Sequence, residues 1–332
     1  MSVQDVIIVG AGPAGLAAAI AAKQRQLDYA VLEKGVLVNS IYHFPTHMAF
    51  FTTPELLEIG GLPFVTPFEK PTRFEALRYY RRVADTAQLR IEMDVTVRAI
   101  QRQQDDDLFR VEAEASGRRV IRHARAVILA IGYYDHPNLL GIPGEHLPGV
   151  SHYYHDAHPF YRRRVVVVGG ANSAAEAALD LHRAGASVTI VHRRATFNRQ
   201  IKYWVLPDLE NRIKEGSIAA RMEARVAEIR PGEVVIEHAG TFEHLPADQV
   251  FLLTGYRTDA DLLRASGVEL DPCTWIPVHD PETFETSVPN LFLAGGVISG
   301  TNDVPVFIEN GRFHGEKVIG VIAERLRRTV GS

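Results

Sequence analysis

The chain has 332 residues, 46% of them apolar and 23% charged, which excludes wholesale disorder, collagen and disulfide-scaffold architectures and suggests two ordinary domains. Lys and Arg number 36 against 40 Asp and Glu, and the net charge of -4 gives no global attraction to nucleic acid or an anionic membrane. With one cysteine, Cys273, no intrachain disulfide can form, and a reducing compartment fits. No apolar run reaches the roughly 18 residues of a membrane helix. The apolar stretches near the N-terminus lack a basic leader, so a cytoplasmic protein is expected.

Val6 to Val9 is a β-branched run of the kind that forms a strand buried on both faces. It leads into Gly10-Ala11-Gly12-Pro13-Ala14-Gly15 and then the alanine-rich Leu16 to Lys23, which reads as a helix. Tyr29 to Leu32 is a second strand ending at Glu33 and Lys34, with Glu33 placed 23 positions after Gly10. Strand, turn, helix, strand and acid in this order predict a dinucleotide site. Gly10 allows the tight turn, Gly12 admits a pyrophosphate, and Gly15 lets the helix approach the strand. Glu33 accepts the hydroxyls of an adenosine ribose.

Arg73 to Ala87 reads as a helix, and Ile91 to Ile100 and Phe109 to Ala113 as strands around an acidic turn. Val120 to Ile121 is a weaker strand signal. Ala126 to Ala130 is a short strand before Ile131-Gly132, and the Pro- and Gly-rich stretch from Asp135 to Pro148 predicts a domain crossing. Next come His152, His155 and His158, whose spacing of three on loop-like sequence lacks a recognisable fourth ligand; no metal site is expected.

Val165 to Val168 then repeats the buried-strand pattern. Gly169-Gly170-Ala171-Asn172-Ser173-Ala174 and a helix through about Arg183 follow it, 159 residues after the first loop. Val188 to Val191 ends at His192-Arg193-Arg194, where the first unit carries an acid. A carboxylate would repel a 2′-phosphate, whereas guanidinium groups pair with it in bidentate geometry. The residues therefore suggest a flavin in the first site and NADPH in the second.

Ala219 to Ile229 and Val234 to His238 read as a hairpin, and Gln249 to Leu253 as another buried strand. Leu291 to Leu293 precedes Ala294-Gly295-Gly296. Asp303 is expected to cap a helix starting near Pro305, with Val318, Ile319 and Ile322 on its buried face. The expected architecture is α/β, with two Rossmann-like three-layer dinucleotide-binding domains. The NADPH domain (150–257) is inserted into a discontinuous FAD domain (1–136 and 258–332).

Taken together, these motifs resemble those of the low-molecular-weight thioredoxin reductase-like flavoproteins. The likeness rests on Gly10 to Gly15 with Glu33, Ala130-Ile131-Gly132 before Gly141 to Glu145, Gly169 to Ala174, His192-Arg193-Arg194, and Thr254-Gly255-Tyr256. The bacillithiol-disulfide reductase branch is similar over Ile41 to Thr46, Phe51 to Gly60, Asn172 to Ala178, and Phe307 to Gly315. The resemblance implies FAD and NADPH as cofactors and a homodimer or larger homo-oligomer, with no nucleic-acid or membrane partner. It also implies backbone contacts to flavin from Gly295 and from Val304 and Pro305, where a helix end faces the flavin. The substrate it implies is a small-molecule disulfide; a small redox protein such as ferredoxin or flavodoxin is the alternative acceptor, and a slow redox sensor a third reading.

The chain departs from these relatives in three places. Tyr153-Tyr154-His155-Asp156 stands where thioredoxin reductases carry their Cys-x-x-Cys, so no redox dithiol exists. Ala14 replaces the cysteine that several members of the branch place after the loop proline, and no aspartate follows Gly295-Gly296. No catalytic residue is fixed by the sequence. Tyr42, His43, His47 and His314 are the candidates for steadying a departing thiolate. Cys273, in a turn-like Asp-Pro-Cys-Thr-Trp stretch, reads as a bystander.

Overall fold

The computed structural model describes residues 3–103, 105, 107–300 and 306–330. The chain divides into two compact units. One runs to His43, resumes over Met48–His136 and closes with the stretch from Tyr256 onward; the other comprises Phe44–His47 and Pro137–Gly255.

In the first unit the N-terminal run forms the strand Val3–Val9, whose Val6, Ile7 and Ile8 have no exposed surface. It pairs in parallel with Tyr29–Leu32 and with the C-terminal half of Arg118–Leu129. Leu291–Leu293 pairs in parallel with the far side of that long strand. The N-terminal half of Arg118–Leu129 continues into an antiparallel ribbon with Phe109–Ala115 and Val95–Arg102. Ile7, Val9, Val127, Leu129, Leu291 and Leu293 share a core with Val97, Ile100, Phe109 and Val111 of that ribbon. The helix Pro13–Gln24, buried from Gly15 to Ala22, packs against the terminal helix His314–Val330. Val318, Ile319 and Ile322 are buried as the apolar spacing predicts.

The second unit is a three-layer Rossmann-like domain. Its parallel sheet has the order Ala219–Arg221, Ser187–Val191, Arg164–Val168, Gln249–Leu252, Val150–Ser151. Alternate residues face opposite layers, as strand geometry requires. Val165 and Val167 pack with the helices Asn172–Arg183 and Leu206–Lys214, while Val166 and Val168 pack with the antiparallel meander Ala224–Arg230, Glu233–His238 and Thr241–Pro246.

Several elements depart from the sequence expectation. The segment 91–100 is interrupted by the left-handed Asp94. The weak signal at 120–121 belongs to a 12-residue strand, Arg118–Leu129. Ion pairs stand there in place of an apolar pattern, Arg119 with Glu112 on the neighbouring strand and Arg122 with Glu92 at 3.0 Å. The segment 219–229 breaks at left-handed Glu223, and its two halves join different sheets. The helices Leu206–Lys214 and Ala260–Ala265 were not expected. The C-terminal helix is divided, with Ile308–Gly311 separated from His314–Val330. At that break the Arg312 guanidinium donates to the carbonyls of Glu55 and Glu58, at 2.8 and 2.6 Å. The expected cap Asp303 and the start at Pro305 lie outside the described residues. Among the described residues no helix is long and apolar enough to cross a membrane.

Candidate functional site

The first phosphate-type loop leaves the C-terminal end of Val3–Val9, where ligands of doubly wound sheets bind. Its three glycines are required for different reasons. Gly10 has φ +103°, and a Cβ there would stand 2.6 Å from the Ala130 carbonyl oxygen. A Cβ at Gly15 would stand 2.0 Å from the Gly10 carbonyl oxygen. Packing within the chain demands both glycines. At Gly12 a Cβ would meet nothing within 4 Å, so the fold leaves open space before the unpaired amides of the helix that begins at Pro13. A pyrophosphate at that helix end accounts for the glycine, so the residues fit a dinucleotide.

Glu33 is 5% exposed. Its carboxylate accepts the Ala11 N–H at 2.7 Å and the Gly35 N–H at 2.9 Å, leaving lone pairs for two hydroxyls. Burial pushes its pKa upward, against the pull of those two amides. Lys34 is exposed and pairs with Asp135 at 2.9 Å. Ala130 donates its N–H to the Val9 carbonyl at 2.8 Å, and Gly132 follows with φ +64°. Gly295 is packed against Ala14, whose Cβ lies 2.7 Å from where a Gly295 Cβ would be. The loop, Ala130 and Gly295 thus meet in one place. Tyr133, absent from the sequence expectation, lays its ring against Gly296; the only signal for it was its place after Gly132. Val304 and Pro305 lie outside the described residues.

His314 was expected as a group to steady a thiolate. Its ring stacks on Phe284 with centroids 4.1 Å apart, and its Nδ1 accepts the Gly295 N–H at 3.2 Å. Burial lowers its pKa to about 4. It is therefore a neutral acceptor at physiological pH, and its proton sits on Nε2. The unfolded chain takes up this proton near pH 6.5 and the folded chain only near 4, so acid favours the unfolded state. The stability from this group is full above pH 6.5 and is lost as the pH falls through that window. His314→Asn keeps an acceptor for Gly295 but cannot titrate, and should flatten the melting temperature between pH 6.5 and 4. An unchanged slope in the variant would assign the acid sensitivity elsewhere.

Tyr42 is exposed and His43 partly buried; their rings meet edge-on with centroids 5.0 Å apart. The Arg73 Nε donates to the Ile41 and Tyr42 carbonyls at 3.1 and 3.2 Å, and its guanidinium lies 5.6 Å from the Tyr42 ring centroid. The Tyr134 hydroxyl donates to the His43 carbonyl at 3.3 Å. The turn carrying these two rings is thus fixed through its backbone. His47, exposed, belongs to the second unit.

In the second unit a Cβ at Gly169 would stand 2.5 Å from the Leu253 carbonyl oxygen. One at Gly170 would strike the His192 imidazole at 2.1 Å. His192 stacks on Phe197 with centroids 5.8 Å apart, and burial depresses its pKa. It packs under the loop as a neutral ring, whereas Arg193 and Arg194 are exposed and have no carboxylate partner among the described residues. Ala171 is the N-cap and Ala174 lies buried in the first helical turn beside Ser173. The Asn172 side chain ties the loop to the segment after it. Its Oδ1 accepts the Lys202 N–H at 2.9 Å and its Nδ2 donates to the Gln200 carbonyl at 3.1 Å.

The histidine run does not assemble. His152 lies 3.5 Å from Glu145 and burial lowers its pKa; the His155 carbonyl accepts the Thr46 N–H, and His158 opens a short 3₁₀ turn. Among the described residues no three His, Cys, Asp or Glu side chains are grouped to hold a metal. Glu145 instead ties down its own motif, accepting the N–H groups of Leu140 and Gly141 at 2.7 Å each. Cys273 is exposed in a turn held by Asp271.

Two nucleotide loops on two Rossmann-like units define a two-dinucleotide oxidoreductase. The chain belongs to the pyridine nucleotide-disulphide oxidoreductase family, whose sequence profile matches residues 7–295; it is an FAD- and NADPH-dependent oxidoreductase. It is 42% identical over 324 residues to the bacilliredoxin reductase Bdr of Bacillus subtilis (strain 168), covering 97% of this chain and 98% of that one. Two solved structures are similar to it. The bacillithiol disulfide reductase Bdr (YpdA) from Bacillus cereus is 40% identical with a TM-score of 0.95, covering 98% of this chain and 100% of that one. The Staphylococcus aureus protein of the same name is 34% identical with a TM-score of 0.93, covering 98% and 99%.

Proposed function

We propose that this protein reduces bacillithiol disulfide at the expense of NADPH, with FAD held at the first loop and NADPH at the second. The reaction consumes one NADPH, one proton and one disulfide, and yields NADP⁺ and two thiols. The substrate rests on the 42% identity to the bacilliredoxin reductase Bdr over nearly the whole chain, and the placing of the two cofactors on the contrast between the strand ends, a buried Glu33 in one and the exposed, unpaired Arg193 and Arg194 in the other. FAD, when bound, supplies the two-electron relay between nicotinamide and disulfide.

The chain's own residues bind and orient. Gly12 and the helix end at Pro13 receive the flavin pyrophosphate, Glu33 its ribose, and the Gly295 turn, steadied by His314, lines the same cradle. Arg193 and Arg194 hold the 2′-phosphate of NADPH. Tyr42 and His43, on the turn that Arg73 and Tyr134 fix, are the proposed donors to a departing thiolate. No enzyme dithiol takes part, because Cys273 is alone. A cytoplasmic, homo-oligomeric setting accompanies this reading.

Anaerobic reoxidation of the NADPH-reduced enzyme tests it. Bacillithiol disulfide should reoxidise the enzyme rapidly, and Cys273→Ala should leave that rate unchanged. Reoxidation by ferredoxin or flavodoxin without reoxidation by the disulfide would replace the reading with that of an electron-transfer reductase.

A further inference from the structure

The chain buries one lysine beside the second loop. The Lys202 side chain is 8% exposed, and its Nζ lies 2.8 and 3.0 Å from the two carboxylate oxygens of Glu176. Glu176 belongs to the helix Asn172–Arg183 that opens from the loop. A buried ammonium is costly unless it is paired and well placed, so this arrangement commits Lys202 to one position. The Asn172 side chain makes a second tie to the same segment, through the Lys202 N–H and the Gln200 carbonyl. A third runs from the Asn198 N–H to the Gly170 carbonyl at 2.9 Å. Ile201 and Val205 are buried in the core below.

Packing alone does not account for what this segment displays. Between the two anchors Tyr203 is 70% exposed and Trp204 37% exposed, their rings edge-on with centroids 4.7 Å apart. The Lys202 Nζ lies 5.9 Å from the Trp204 ring centroid. Large aromatic surface held rigidly beside a nucleotide loop is what a ring-bearing ligand uses, because every base presents a face for stacking.

We propose that residues 198–204 form a wall of the NADPH site, with Lys202 as the positioning residue that sets the wall through Glu176 and Trp204 as the face on which the dinucleotide stacks. The proposal rests on the reading that the second loop takes NADPH.

The test uses the FAD-loaded full chain carrying Trp275→Phe, which leaves Trp204 as its only tryptophan. NADP⁺ should quench the Trp204 emission saturably. Lys202→Met, in the otherwise native enzyme, should raise KM for NADPH about tenfold with kcat nearly unchanged, and Lys202→Arg should restore most of the loss. Trp204→Ala, at a part-exposed position where folding is not at stake, should raise KM to a similar degree, about tenfold. Should Lys202→Met fail to fold, Trp204→Ala decides alone. An unquenched Trp204, or an unchanged KM in Trp204→Ala, overturns the wall. A native enzyme that binds no NADP⁺ removes instead the assignment of the second loop, and the wall with it.

Discussion

Gly12→Val is expected to strip FAD from the enzyme while leaving the polypeptide folded. The two neighbouring glycines could not give that separation. A side chain at Gly15 would drive into the Gly10 carbonyl oxygen, and one at Gly10 into that of Ala130, so both substitutions damage the strand–helix junction whether or not a cofactor is present. At Gly12 the backbone is ordinary, φ -73°, and the chain leaves open the volume a side chain would enter. Only a ligand drawn up to the amides of the Pro13–Gln24 helix competes for it. The purified variant should retain less than about a tenth of the wild-type flavin, judged by the ratio of flavin to protein absorbance, since its Cβ branches occupy the pyrophosphate position. Its melting temperature should match that of wild-type protein from which the flavin has been removed. A variant that keeps its flavin would move the pyrophosphate elsewhere; one that melts much earlier than apo wild type would make Gly12 a folding residue.

The parallel cores were legible because their strands, Val6 to Val9 and Val165 to Val168, are buried on both faces and carry no polar position to blur the signal. The glycine loops were legible because backbone geometry restricts those positions to one residue type. Of the strand Arg118–Leu129 the apolar end from Ala126 was legible and the N-terminal half only weakly so. That half carries Arg118, Arg119, Arg122 and Arg125, two of which form ion pairs, Arg119 with Glu112 and Arg122 with Glu92, so its apolar alternation is masked by charge. Likewise, nothing in the local sequence could show that His314 would be drawn under Phe284 and receive the Gly295 N–H, 19 residues away. Tertiary packing makes it a neutral ring whose Nδ1 accepts and whose Nε2 carries the proton. Only the folded loop places the His192 ring beneath Gly170. Lys202 went unnoticed because a lysine reads as surface until a carboxylate one helix away encloses it.

Arg193→Ala/Arg194→Ala should abolish the preference for NADPH over NADH. Both guanidinium groups stand at the end of the strand Ser187–Val191, exposed and unclaimed by any carboxylate of the described residues. Elsewhere in the second unit arginines such as Arg164 and Arg221 are taken up by carboxylates, Asp248 and, at 2.7 Å, Glu243. Two neighbouring cations at the edge of a nucleotide loop fit an anionic ligand that arrives from solution. A 2′-phosphate is the group that distinguishes NADPH from NADH at this end of the dinucleotide, and Arg binds it in fork geometry that Ala cannot replace. Loss of both contacts should raise KM for NADPH about 30-fold, about 1 kcal/mol for each solvent-exposed ion pair. KM for NADH, which has no 2′-phosphate, should stay near its wild-type value. The same contacts are screened by salt, so wild-type KM for NADPH should climb with ionic strength while that of the double variant stays flat. Steady-state kinetics with both nucleotides at low and high salt reads all four quantities. An equal rise in KM for NADH and NADPH would show that the arginines shape the loop and do not read the phosphate.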